Sequence, residues 1–340
     1  MIFMKTVLVT GATGFLGKYL IQQIKAADSS TRLRILCRGS SPWDHDSQVE
    51  VVHGNITTRA EVESAVENVS EIYHLAGFVS RAPGDQELLY RTHIEGTRNI
   101  CEAALKFGVE KILLVSSSGT VAASNDPVVH NENSGYKHDV VGEWPYYLSK
   151  IFMEKLALDY YTRHGQKIVI ANPSLLLGPG DDRNSSTRDI SLFLQDQIKA
   201  IPAGGLNFVD VRDVAPALAA AMRSGRPGER YLLGGVNWSF RQLIERVGEI
   251  SGKKIPTMKP SLEMSLWSTR ALRMIYPLFG KSFKLDEASV KMSWCYWYCD
   301  SSKARNELGF TTRDPEETLK DTVEDVFLRL FKSGQLRSTA

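Results

Sequence analysis

The sequence predicts an α/β protein built on a doubly wound parallel sheet, and three observations carry that prediction. Short apolar runs recur at 7–9, 33–37, 49–52, 72–75, 112–115 and 168–171. Between them lie stretches of helical spacing, with Phe15, Leu16, Leu20, Ile21 and Ile24 in the first and similar patterns at 59–69 and 92–107. The runs are continuous rather than alternating, as in strands covered on both faces. Six or seven such strands in about 170 residues make a doubly wound sheet.

Bulk properties narrow the function classes. Hydrophobic residues make up 43% of the 340 and charged residues 24%, the balance of an ordinary globular chain. A formal net charge of +2 provides no basic field, so no nucleic-acid partner is expected. Four cysteines form no disulfide framework, and Cys295 and Cys299 have no Cys or His at metal spacing, so no metal site is expected. No run approaches the ~18 apolar residues of a membrane span. The N-terminal apolar run is short and leads into glycines, so it reads as a first strand rather than a signal peptide. The expectation is a cytoplasmic protein with a small-molecule substrate and no integral membrane segment, with homodimerisation left open.

The first candidate site follows strand one. Gly11-Ala12-Thr13-Gly14-Phe15-Leu16-Gly17 opens the first helix. Glycines there allow a tight turn, close approach of the backbone to a pyrophosphate, and close packing of the first helical turn. The free N–H groups and positive helix end then face the phosphate charge. Gly11, Thr13, Gly14, Phe15, Leu16 and Gly17 are therefore candidate dinucleotide contacts in a Rossmann domain. The end of strand two reads Cys37-Arg38-Gly39-Ser40, with no carboxylate before Asp44. A carboxylate there would bond the adenosine ribose hydroxyls of NAD. Arg38 instead suits a 2′-phosphate, which favours NADP(H) and leaves NAD(H) as the alternative.

The second candidate site is Tyr146-Tyr147-Leu148-Ser149-Lys150. The four-residue spacing puts Tyr146 and Lys150 on one helical face. An ammonium one turn away is expected to lower the phenol toward neutrality and fit it for proton transfer. Such pairs arise by chance, so position carries the argument. The pair opens a helix some 30 residues after the strand ending Val115-Ser116-Ser117-Ser118, at an edge where open α/β sheets bind ligands.

Together these motifs resemble the extended short-chain dehydrogenase/reductase family, in its NAD-dependent epimerase/dehydratase-like group. Further matches are His74-Leu75-Ala76-Gly77, Asn172-Pro173-Ser174, Leu177-Gly178-Pro179-Gly180, the 208–214 segment and the closing 300–310 segment. The resemblance covers nearly the whole chain. Arg38 and Ser117-Ser118-Gly119-Thr120-Val121 look most like its dihydroflavonol-reductase-like branch. The resemblance implies Tyr146 as general acid/base, Lys150 as its tuning partner and holder of the nicotinamide ribose, and a serine polarising the carbonyl. Ser117 is preferred for that serine over Ser118. It also implies cofactor contacts at Asn55, Ile56, Leu75, Ala76, Gly77, Pro173 and Ser174, and substrate contacts at Val79, Ser118 and Tyr147. Two departures stand out. Asn55 follows Gly54 where the family often has Asp, and His93 replaces an asparagine held to support the lysine. His93 either takes over that work or is a packed interior histidine.

The implied activity is NADP-dependent reduction of a ketone or aldehyde. The alternatives are an NAD-dependent nucleotide-sugar epimerase and a non-catalytic dinucleotide-binding protein. The alternation loosens after Pro173, so the expected domains are a Rossmann domain at 1–171 and a mainly substrate-binding domain at 172–340, with 207–225 returning to the first. The polar loop 178–188 is expected to move and close over ligands. The mixed apolar and basic segment 261–283 is expected to pack on the domain rather than lie on a membrane surface.

Overall fold

The computed structural model describes residues 5–28, 30–258, 260–276 and 287–335. Its strands in chain order are β1 (Thr6–Thr10), β2 (Arg32–Cys37), β3 (Val49–His53), β4 (Glu71–His74), β5 (Lys111–Val115), β6 (Ile168–Pro173), β7 (Leu175–Leu177), β8 (Gly205–Asp210), β9 (Arg230–Leu233), β10 (Val236–Ser239) and β11 (Tyr296–Trp297). Seven form one sheet in the order β3-β2-β1-β4-β5-β6-β9, every neighbour parallel. Both faces are covered, which explains the continuous apolar runs. In β1, Val7 and Val9 enter the core shared with Leu20, Ile21 and Leu218. Leu8 enters the opposite core with Ile72, Ile100 and Ile112.

The chain builds β2 and β3 on one side of β1, then returns to place β4 on the other. That reversal opens a crevice beyond the C-terminal ends of β1 and β4, where ligands of open α/β sheets bind. The helix Phe15–Ala27 leaves β1 directly into it.

A second sheet is centred on β8, with β10 antiparallel and β7 and β11 parallel to it. The helix Val211–Ser224 leaves β8 and packs on Phe15–Ala27, β5 and β6. Arg230–Leu233 is a correction. Expected with the second unit, it is the seventh strand of the large sheet, paired through Ile170↔Arg230 to Pro173↔Leu233. Ser239 caps the next helix through a full capping box with Gln242.

A further expectation needs revision. Loop 178–188 is polar because it is internally bonded. The buried Asp181 carboxylate accepts from the backbone N–H groups of Ser185, Ser186 and Thr187 and from the Ser185 and Thr187 hydroxyls. Arg329 donates to Asn184 and Thr187, and Tyr19 donates to the Pro179 carbonyl at 2.9 Å. Those bonds oppose the expected movement. The helix Leu262–Ile275 packs on the helix Glu287–Trp294, but it buries only Thr269 and leaves Met264, Trp267 and Met274 exposed. Residues 277–283 of that segment lie outside the described residues. Among the described residues, no helix is long and apolar enough to cross a membrane.

Candidate active site

The turn after β1 needs its glycines for reasons of space. Gly11 has φ +73°, and a Cβ on it would lie 2.7 Å from the Ala76 backbone N and the Leu75 backbone C. A Cβ on Gly17 would lie 2.3 Å from the Gly11 carbonyl O and 2.7 Å from Ala12 Cα. Gly14 is the N-cap of Phe15–Ala27, and no side chain caps that helix or places a carboxylate in its first turn. Its N-terminal N–H groups thus face the crevice without a competing side chain. Phe15 and Leu16 point into the core, so they offer a ligand only backbone. Thr10 ties β1 to β4: its hydroxyl accepts from Ala76 N at 3.1 Å, which sets Leu75, Ala76 and Gly77 beside the glycine turn.

β2 ends at Cys37, and Arg38, Gly39 and Ser40 are exposed. The nearest carboxylates are engaged elsewhere. Asp44 accepts from Ser41 N at 3.0 Å, and Asp46 pairs with Lys25. Arg38 makes no ion pair among the described residues. After β3, Asn55 Oδ1 accepts from Thr57 N at 3.2 Å, Ile56 is buried, and the Ile56 carbonyl is held by Asn99.

The helix Pro145–His164 carries Tyr146 and Lys150 to the C-terminal end of β5. Ser117, in extended conformation just past that strand, is the side chain that acts to lower the Tyr146 phenol, whereas Ser118 is buried at the start of a short 3-10 turn. Lys150 is buried and donates to the Val115 carbonyl at 3.1 Å. Its ammonium is pulled down to about 8, burial being the main cause and the Glu154 carboxylate opposing it. The expected lowering of the phenol is corrected. Burial pushes Tyr146 well above the usual tyrosine range, the Tyr147 phenol adds to this, and the neighbouring Ser117 side chain opposes it. Desolvation outweighs an ammonium that is turned toward a backbone carbonyl. Pro173 ends β6, and Ser174 beyond it, like Ser116, is buried with no hydrogen-bond partner for its hydroxyl among the described residues. The glycine turn and these unpartnered hydroxyls fit a dinucleotide laid across the strand ends.

Two buried histidines brace this edge. His93 lies in a π-helical turn, Arg91–Glu95. Its Nε2 accepts from Phe78 N at 3.2 Å, which places the proton on Nδ1, facing Ser149 Oγ at 2.8 Å. Ser149 in turn donates to the Tyr146 carbonyl at 2.7 Å. With both nitrogens occupied, His93 is a packed interior histidine that ties the loop after β4 to the turn carrying Tyr146. His74 lies between Thr10 Oγ1 at 2.7 Å and Thr97 Oγ1 at 3.0 Å. Burial lowers it from 6.5 to about 3. Between those values the unfolded chain binds a proton that the folded chain refuses. Stability attributable to His74 is therefore complete above pH 6.5 and falls with pH toward 3, by at most about 1.4 kcal/mol per pH unit. Urea titrations at stepped pH should show that slope, and His74→Gln should flatten it. An unchanged slope would remove His74 from the acid response.

Sequence reasoning named Tyr147 and Val79 but missed the tryptophans beside Tyr147. Tyr147 stacks on Trp297 with ring centroids 4.7 Å apart, and Trp144 joins them at 5.6 Å from Trp297. Val79 is exposed at the rim, where Arg81 and Asp189 pair at 3.3 Å between the loop after β4 and the helix Arg188–Leu194. Trp297 comes from β11, far along the chain, and no local pattern announces it. Among the described residues, no cluster of three or more His, Cys, Asp or Glu side chains could hold a metal.

A parallel seven-stranded sheet, a glycine turn at its switch point and a Ser-Tyr-Lys edge define an NAD(P)-dependent oxidoreductase of the extended short-chain dehydrogenase/reductase type. Residues 7–234 match the NAD dependent epimerase/dehydratase family, to which the chain belongs. It is 32% identical over 325 residues to a putative dihydroflavonol 4-reductase of Synechocystis sp., covering 93% of this chain and 92% of that one. It is 28% identical to sterol demethylase protein B of Methylococcus capsulatus, covering 94% and 97%. Among solved structures, a nucleoside-diphosphate-sugar epimerase from Pseudomonas aeruginosa superposes with a TM-score of 0.76 at 25% identity, covering 98% of this chain and 99% of that one.

Proposed function

We propose that the protein is an NADP-dependent reductase of a ketone or aldehyde. The large sheet holds the dinucleotide, and the second sheet with its helices holds the substrate. The observation that carries this reading is the convergence of Ser117, just past the end of β5, on Tyr146 at the start of the helix Pro145–His164. A carbonyl oxygen at that pair accepts a hydrogen bond from each. Burial keeps Tyr146 protonated, so it holds the proton that the oxygen needs as the carbon is reduced. When bound, the nicotinamide supplies the hydride to the carbonyl carbon. Lys150, one turn from Tyr146, holds the nicotinamide ribose hydroxyls. Tyr146 recovers its proton from solvent.

Gly119 argues against dehydration, which the resemblance associates with an acidic side chain beyond the catalytic hydroxyl. A Cβ at this position would lie 2.3 Å from Tyr147 Cε1, so the Tyr147 ring fills the space of any such side chain. The kinship to a putative dihydroflavonol 4-reductase supports reduction as well.

Arg38 carries the cofactor preference. Fluorescence titration of the parent is expected to show tighter binding of NADPH than of NADH. Arg38→Ala should shrink that difference by about 1–3 kcal/mol, the scale of a charge-assisted hydrogen bond. Equal affinities in the parent contradict the preference, and NAD retained through purification would favour the epimerase.

A further inference from the structure

The helix of Tyr146 and Lys150 carries a third inward residue at the same spacing. Glu154 is fully buried, one turn beyond Lys150. Its Oε1 accepts from Asn172 Nδ2 at 2.7 Å and from Thr120 Oγ1 at 2.9 Å. Its Oε2 faces Arg230 of β9 at 3.1 Å. These partners are all donors, the surroundings of a carboxylate. Asn172 Nδ2 also reaches the Ser117 carbonyl at 2.9 Å, and the single Thr120 hydroxyl proton is shared between Glu154 Oε1 and that carbonyl, likewise at 2.9 Å. The Ser117 backbone is therefore held by two side chains that converge on Glu154.

We propose that Glu154 is a positioning residue of the reductase site: through Asn172 and the shared Thr120 hydroxyl it fixes the Ser117 backbone, and one helical turn beyond Lys150 it sets a buried carboxylate on the same inward face of the helix. The proposal rests on the catalytic reading given above. A buried carboxylate without such a task is a liability, since replacing an ion pair by apolar packing is often neutral or stabilising. Here it reaches the Ser117 backbone through Asn172 and Thr120 and lies one helical turn beyond Lys150. The other groups around Lys150 cannot take its place. Tyr146 is a protonated phenol, and His93 and His74 are held neutral by burial. Around Glu154 itself stand Arg230 and the Tyr136 ring, over which the Arg230 guanidinium lies at 4.5 Å.

Removing the charge with Glu154→Gln leaves Lys150 to burial alone, so its titration midpoint moves down from about 8. The direct readout is NMR of 13Cε-lysine in the full-length protein, with the Lys150 signal assigned by its loss in Lys150→Met. The midpoint should fall by about one pH unit or more, and the alkaline limb of kcat should move to lower pH by the same amount. Thr120→Val keeps the charge but removes the hydroxyl at the Ser117 carbonyl. It should lower kcat roughly tenfold while leaving KM and the Lys150 midpoint in place. Thermal melting and NADPH binding report whether each variant is folded. A parental midpoint in folded Glu154→Gln overturns the proposal, as does parental kcat in Thr120→Val, which alone decides if Glu154→Gln fails to fold. The NMR arm needs no substrate, and Tyr146→Phe run in the same kcat assay tests the catalytic reading separately.

Discussion

Tyr146→Phe is expected to lower kcat by at least ~10²-fold while leaving NADPH affinity nearly unchanged. The ring packs edge-on against His93 at 5.9 Å and Tyr147 at 5.0 Å, and phenylalanine keeps both contacts. The helix start and the Ser149 bond to the residue 146 carbonyl also persist, because they use backbone. What disappears is the proton. Ser117 remains but is a far weaker acid than a phenol, and no histidine takes over, since His93 is neutral with both nitrogens engaged. A ~10²-fold loss is about 2.7 kcal/mol of transition-state stabilisation. Normal turnover in this variant, measured by nicotinamide absorbance, would remove Tyr146 from the chemistry.

Gly17→Ala is expected to weaken NADPH binding by roughly 10²-fold and to lower Tm by several degrees. The added methyl would meet three backbone atoms, the Gly11 carbonyl at 2.3 Å and Ala12 Cα and O at 2.7 Å. None can turn aside as a side-chain tip would, so the loop must move away from the helix. That movement spoils the alignment of N–H groups on the pyrophosphate. Gly84→Ala serves as the control, because a Cβ there meets nothing within 4 Å. Fluorescence titration and thermal melting read both effects. Parental affinity in Gly17→Ala would mean that the turn is not the phosphate cradle.

The parallel sheet and the glycine turn were legible because the inner strands are buried on both faces and because only glycine fits at Gly11 and Gly17. Those requirements are local. Membership of Arg230–Leu233 was not local: a four-residue apolar strand reads the same in either sheet, and its pairing with β6 places it. The Tyr146–Lys150 spacing correctly placed both residues on one face of one helix, but the direction of the phenol's shift depends on burial, which spacing does not contain. Glu154 had a readable signal, the same four-residue step beyond Lys150. Its partners Asn172, Thr120 and Arg230 come from three separate segments and converge only in the folded chain. Polar residues in 178–188 suggested a free loop, whereas Ser185, Ser186 and Thr187 bond to the Asp181 carboxylate.

The most direct test of the central claim is isotope transfer from the dinucleotide. NADPH carrying deuterium at nicotinamide C4 is incubated with the protein and a panel of aldehydes and ketones, and products are read by mass spectrometry. The account predicts an alcohol with deuterium on the former carbonyl carbon, formed one for one with NADPH consumed, and its loss in Tyr146→Phe. Absence of deuterated alcohol across the panel, together with NAD retained in the purified protein, would contradict it.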